Sequence, residues 1–300
     1  MRMNTSSIPV LALAVLCAGA LPASALDLSV EALFGNLNLP WDSDVPVPDA
    51  TYPADLWIYG ARVSVAETLA DGFRLETSYI TDPVLRHLFR SVIAYESGLV
   101  KISAGPILGA FNTAETPVKA GIAVGLRIDL PGVVFLSARA DSSMGAGLFS
   151  VGDYAQEFAE LSAGWYVRNA ICSGTVTTRK FYRVTDAGDL LADSSNRYAF
   201  SVDVYRKGSP YRILMSLGYQ DFSRDYPGAA LDSLGTVFLG VRLSAELSDT
   251  LSLNGELESA VYTFGMDDLM ARGPAMDSFL FRSSLGVTWH LGAVATASEE

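Results

Sequence analysis

The sequence predicts an all-β chain: a transmembrane, antiparallel up-and-down β-barrel of about fourteen strands over residues 26 to 291. Three observations carry this. Beyond residue 25, apolar residues recur at every second position in one segment after another, and the connectors between the segments alternate between short and long. The chain is also 50% apolar, yet beyond its first 25 residues it lacks the run of ~18 apolar residues that a helical span needs. Successive side chains of a strand point to opposite faces. In the stretch 118–130, Val118, Ala120, Ile122, Val124, Leu126, Ile128 and Leu130 therefore make one greasy side. Lys119, Gly121, Ala123, Gly125, Arg127 and Asp129 make the other, charged or small. One such strand also fits a soluble sandwich; fourteen of them with sorted connectors do not.

The N-terminus reads as a cleaved secretory signal over residues 1–25. Arg2 precedes an apolar run from Ile8 to Leu21, then Pro22 and the small residues Ala23 and Ala25 at −3 and −1 of a cleavage site. Cys17 invites a lipoprotein reading, but the bulky Leu16 before it argues against acylation. The mature chain then keeps only Cys172, a small apolar filler with no disulfide partner.

Strands are expected at about 26–34, 56–65, 73–79, 87–95, 100–108, 118–130, 133–140, 158–167, 172–184, 198–205, 211–219, 237–247, 251–261 and 279–291. Most have about the 9–11 residues with which a tilted strand crosses a bilayer. The tight connectors 69–72, 96–98, 131–132, 169–170, 207–210 and 248–250 are turn-forming in composition. The long ones fall at about 35–55, 80–86, 109–117, 141–157, 185–197, 220–235 and 264–277. This alternation sends all turns to one rim and all loops to the other, makes the strand number even and places both termini on the turn side. A Greek-key sandwich has no reason to sort its connectors so. Residues 292–300 read as a short periplasmic tail.

Aromatic placement agrees. Trp57, Tyr59, Tyr79, Tyr182, Tyr198, Tyr219, Phe279 and Phe281 fall outward near the loop rim, and Tyr95, Trp165, Tyr211 and Trp289 outward near the turn rim. Such rings prefer the two membrane–water boundaries.

On this architecture the chain resembles the bacterial outer-membrane β-barrels, and in length and strand number the monomeric fourteen-stranded porins. Its small-residue pattern is similar to that of spirochaetal barrels. The closing segment 279–291, with Phe279, Phe281, Leu285, Val287, Trp289 and Leu291 alternating, is similar to the last-strand signal read by the barrel assembly machinery. It departs from that signal in ending on Leu291 with a tail behind it. The resemblance implies residence in the lipid bilayer of the outer membrane, a monomer, and passage of small hydrophilic solutes. The fatty-acid transporters, also fourteen-stranded, resemble it less: that family implies an N-terminal plug, and the first strand here is expected to start at Leu26.

Alternation sends Arg62, Lys101, Arg127, Arg139, Glu160, Arg168, Arg179, Asp203, Arg212, Arg242, Glu246, Glu256, Glu258 and Arg282 to the lumen, with Glu31, Arg74, Glu76, Arg90, Lys119, Asp129 and Arg197. Turned to lipid, each would cost ~2–4 kcal/mol near the midplane. Fourteen strands at ~4.8 Å spacing and ~40° tilt make a cylinder roughly 25–28 Å across. Short side chains cannot fill that width, so the expected function is a passive channel in which inward Arg and carboxylate groups set selectivity. The inward cations outnumber the inward carboxylates while the long loops are acidic, and these opposed fields predict weak ion selectivity. The alternative is a scaffold whose lumen is closed by ion-pair ladders and whose acidic loops, the proline-rich stretch 35–55 above all, bind a partner.

Other classes fit poorly. A net charge of −12 is the wrong sign for a nucleic-acid footprint, and no cofactor is expected. His87, His290 and one cysteine cannot assemble a transition-metal site, and Asp42, Asp44 and Asp49 lack the ligand spacing of a specific calcium loop. Catalysis is not expected, because no Ser and acid near either His in the sequence complete a recognisable constellation.

Overall fold

The computed structural model describes residues 26–35, 58–81, 87–110, 119–143, 154–184, 190–205, 208–225, 232–264 and 281–292. The expected signal over 1–25, the proline-rich stretch 36–57 and the expected tail beyond Gly292 lie outside the described residues. So do the Asp42, Asp44 and Asp49 cluster, Trp57, Phe279, and the side chains of His87, Lys119, Tyr59 and Tyr182.

Fourteen strands follow one another: β1 (Leu26–Gly35), β2 (Ile58–Ala70), β3 (Phe73–Thr81), β4 (His87–Ser97), β5 (Val100–Ala110), β6 (Lys119–Leu130) and β7 (Val134–Ser142), then β8 (Tyr154–Val167), β9 (Ala170–Val184), β10 (Leu190–Tyr205), β11 (Tyr211–Asp225), β12 (Asp232–Ser248), β13 (Leu251–Phe264) and β14 (Phe281–Leu291). Each pairs antiparallel with its sequence neighbours, and β1 pairs with β14 from Leu26↔Leu291 to Gly35↔Arg282, closing the barrel. The predicted fold class is the observed one. The tight connections join β2–β3, β4–β5, β6–β7, β8–β9, β10–β11 and β12–β13, all on one rim. Gly72 and Gly132 take φ of 78° and 76° there, a left-handed conformation that costs glycine nothing because it has no Cβ to clash.

The wall is turned inside out relative to a soluble domain. Ile122, Val124, Leu126, Ile128, Ile213, Met215, Leu217, Leu239, Val241 and Leu243 are exposed on the outer face, whereas the buried apolar residues among those described are only Val92, Ala94, Ile107, Ala123 and Phe238. An apolar surface this continuous is stable only against an apolar surrounding. Tyr95, Trp165, Tyr211 and Trp289 edge it at the turn rim, and Tyr198 and Tyr219 at the loop rim.

Two expectations are corrected. Connectors 185–197 and 220–235 are largely strand and 141–157 is strand at both ends: β7 runs to Ser142 and β8 starts at Tyr154, β10 starts at Leu190, β11 runs to Asp225 and β12 starts at Asp232. Outward positions there are polar. Thr178 Oγ1 donates to Asn196 Oδ1 and Asn196 Nδ2 donates to Asp221 Oδ2, both at 3.0 Å, across the outside of β9, β10 and β11. Once both faces of a strand meet water, apolar alternation ends although the ladder continues. Arg168 is the second correction. It sits exposed in the β8–β9 turn, where the chain reverses and two-fold alternation no longer assigns a face.

Candidate functional site: the lumen wall

Apart from Arg168, the predicted lumen residues all occupy the parity opposite to the exposed apolar set. Successive rows fix this: Lys101↔Arg127, Arg139↔Glu160, Arg242↔Glu256 and Glu258↔Arg282 are cross-strand partners. A strand residue reaches its neighbour's side chain only on the same face, so the ion pairs Arg242–Glu256 and Arg282–Glu258 put these rows on one shared interior face.

Near the turn rim, Arg74 donates to Asp27 at 2.7 Å and Lys101 to Glu76 at 2.5 Å, and midway up β1 and β2 Arg62 donates to Glu31 at 2.9 Å. On β6–β8, Arg127 donates to Asp129 at 2.6 Å, and the Tyr166 hydroxyl meets the same carboxylate at 2.8 Å. Asp141 gathers Arg139 at 2.8 Å and Arg90 at 3.4 Å. Arg139 and Arg179 both lie over the Phe158 ring, at 4.8 and 5.9 Å. Across β10–β14, Arg212 grips Asp203 through Nε at 2.7 and 2.9 Å, and Arg242 holds Glu256 at 2.5 and 2.9 Å. Glu258 takes Arg197 at 2.5 and 2.9 Å together with Arg282 at 2.7 Å.

Two of these groups share a construction. Gly218 has no side chain, and the Phe238 ring occupies that space, with its Cζ 2.2 Å from where a Cβ would stand. The Arg197 guanidinium lies 3.6 Å over that ring on its way to Glu258. Gly164, Phe135, Arg127 and Asp129 repeat the sequence of glycine, ring, guanidinium and carboxylate, with Arg127 4.4 Å over Phe135. Each stack lays a long Arg along the wall instead of across the lumen, because the ring attracts its cationic face.

Between these walls lies a polar cavity of about 380 Å³, lined by Glu31, Arg62, Asp203, Arg212, Arg242, Asn254 and Glu256 among others. Its lining runs from β2 through β1 and β14 to β10, half the circumference of the ring. Glu246 faces the lumen opposite Ser252.

Sequence reading missed three inward acids. Asp27 binds Arg74, Glu96 pairs in register with Lys101, and Asp141 binds two arginines. Glu96 and Asp141 had the right residue type but fell in stretches read as connectors. They bring the described wall close to charge balance, which replaces the expectation of a basic throat. The balance is not symmetric in exposure: Arg212, Arg282 and Arg139 side chains are 54%, 57% and 41% exposed, against 13%, 2% and 5% for Asp203, Glu258 and Asp141. In these three pairs the carboxylate is tucked into the wall and the guanidinium faces the lumen.

Closure also gives His290 partners that the linear sequence hides, namely Asp27 from β1 and Ser252 from β13. Neither partner lies beside His290 in the sequence, because the two ends of the chain meet only in the closed ring.

No family model matches the chain, and no curated protein matches it. Solved bacterial outer-membrane barrels do. The outer membrane channel from Pseudomonas putida F1 superposes with a TM-score of 0.50 at 11% identity, covering 90% of this chain and 97% of that one. The NanC porin gives 0.44 at 12%, covering 88% and 98%. A loop-deletion mutant of OmpT, an outer membrane protein of Vibrio cholerae, gives 0.43 at 10%, covering 89% and 97%. At these identities the likeness is one of architecture, and the chain has the closed-barrel fold of outer-membrane proteins.

Proposed function

We propose that the protein is an outer-membrane channel through which small hydrophilic solutes diffuse passively and with weak selectivity. The observation that carries this reading is the pairing of an apolar exterior with a polar, charge-balanced interior that keeps a cavity of about 380 Å³ between Arg62 on β2 and Asp203 on β10. Weak selectivity follows from neutralised pairs, which leave no strong net field along the path. Its direction follows from exposure: half-exposed guanidiniums backed by tucked carboxylates give a mild preference for anions. Secretion through a signal over residues 1–25, insertion guided by the closing strand 279–291 and a monomeric state belong to the same reading.

Planar-bilayer recording of the refolded protein tests it. Steps of ohmic current with a small reversal potential of anionic sign are expected. Well-folded barrels that pass no ions would overturn the channel and favour the scaffold with a closed lumen.

A further inference from the structure

Three lumen side chains at the turn rim, none of them in the predicted channel set, form a relay across the seam of the barrel. Asp27 and His290 are direct cross-strand partners, and Ser252 lies one strand further, opposite Thr288. His290 Nδ1 stands 2.8 Å from Asp27 Oδ1, and His290 Nε2 stands 3.0 Å from Ser252 Oγ. A carboxylate offers only lone pairs, so Nδ1 carries the ring proton and donates it to Asp27. In the neutral ring Nε2 then has a free lone pair, to which the Ser252 hydroxyl donates. Arg74 holds the second oxygen of Asp27 at 2.7 Å and fixes that carboxylate from the far side. Nucleophile, base and orienting acid thus stand in one hydrogen-bonded chain. His290 and Asp27 remain 40% and 38% exposed, within reach of a solute in the mouth.

We infer that Ser252, His290 and Asp27 form an acyl-transfer site that hydrolyses small carboxylic esters at the turn-side mouth of the lumen. Ser252 Oγ attacks the ester carbonyl carbon while its proton passes to His290 Nε2. The bond to the alcohol oxygen breaks, and the alcohol leaves with that proton. Water attacks the acyl-serine, gives a proton to Nε2, and the carboxylic acid departs as Ser252 regains its hydrogen. Asp27 keeps the ring in its working tautomer and stabilises the imidazolium that forms in between. Asn254, two residues along the same inward face, has an amide that donates to Thr288 Oγ1 at 3.2 Å and is the side-chain donor available to the oxyanion. Glu246 faces Ser252 from β12, so the site repels anionic esters and takes uncharged ones.

The test uses the full refolded barrel in detergent micelles and an uncharged alkyl fluorophosphonate. Ser252 Oγ displaces fluoride at phosphorus, and the intact mass rises by one phosphonyl group. The expected result is a single adduct mapped to Ser252 and hydrolysis of p-nitrophenyl acetate. Both vanish in Ser252→Ala, which removes a single oxygen, and both slow by ~100-fold or more in His290→Gln. The anionic p-nitrophenyl succinate should react more slowly than the acetate, and the gap should narrow in Glu246→Gln. A wild-type barrel that takes no adduct at Ser252, or that labels no faster than His290→Gln, overturns the inference. Either result is read without ion current and so stands apart from the channel reading.

Discussion

Glu258→Ala removes the carboxylate on which two arginines converge. The Glu258 side chain is 2% exposed and accepts from Arg197 and Arg282 at 2.5 to 2.9 Å. Deleting one partner of a buried pair costs about 3–5 kcal/mol when the charge left behind stays buried. Arg282 is already 57% exposed and Arg197 24%, so both can turn toward the lumen, and a loss of about 2–3 kcal/mol is expected. Glu258→Gln keeps the shape and one acceptor oxygen, and its loss should be about 1–2 kcal/mol. Urea unfolding in lipid vesicles, followed by tryptophan fluorescence, reads both. The same change has an electrical signature, because two guanidiniums against one carboxylate become two guanidiniums alone. One added unit charge about 5 Å from the ion path is worth about 0.8 kcal/mol in water before screening. The anion-over-cation permeability ratio should therefore rise several-fold in dilute salt and much less at 1 M. A stability change below about 0.5 kcal/mol, together with an unchanged reversal potential, would refute the claim that Glu258 organises this wall.

Other outcomes follow from the same wall. Tyr166→Phe removes the hydroxyl that meets Asp129 at 2.8 Å and should lower stability by about 1–2 kcal/mol in the same unfolding assay. Gly218→Val places a Cβ 2.2 Å from Phe238 Cζ and 2.4 Å from the Tyr198 carbonyl oxygen. It should destabilise by about 1–3 kcal/mol, and a neutral result would sink the stacking account of Arg197. Leu126→Arg puts a charge on the exposed outer face and should cost about 2–4 kcal/mol in bilayers. Ser137→Arg, in the inward row beside Arg127, should cost far less, and equal costs would mean that the two faces are misassigned.

All fourteen strands are legible in the sequence, because lipid outside and water inside impose the strongest two-sided contrast a strand can carry. The signal measures the membrane and not the ladder. Tyr219 ends the readable part of β11, since beyond it Asp221 on the outside and Gln220 on the inside are both polar, yet pairing continues to Asp225. Which residues face inward is legible for the same reason. Which of them touch is not: Arg197 and Glu258 lie 61 residues apart on strands that are not neighbours, and only strand tilt brings them to one height. The relay at His290 is the extreme case, 263 positions along the chain from Asp27.

The uneven strands also shape the approach to the lumen. β9 to β12 are 15 to 17 residues long, whereas β3 to β5 are 9 to 11. The extra residues lie beyond the Tyr198 and Tyr219 girdle, so in its strands this side stands about 10–15 Å higher than the other, at ~3.3 Å per residue and ~40° tilt. The rim drawn by the described strands is thus oblique, like the cut of a quill. Among the described strands, β9 to β12 carry above the girdle a polar parapet, with Asn196 and Asp221 hydrogen-bonded on its outer face, that stands higher than the ends of β3 to β5.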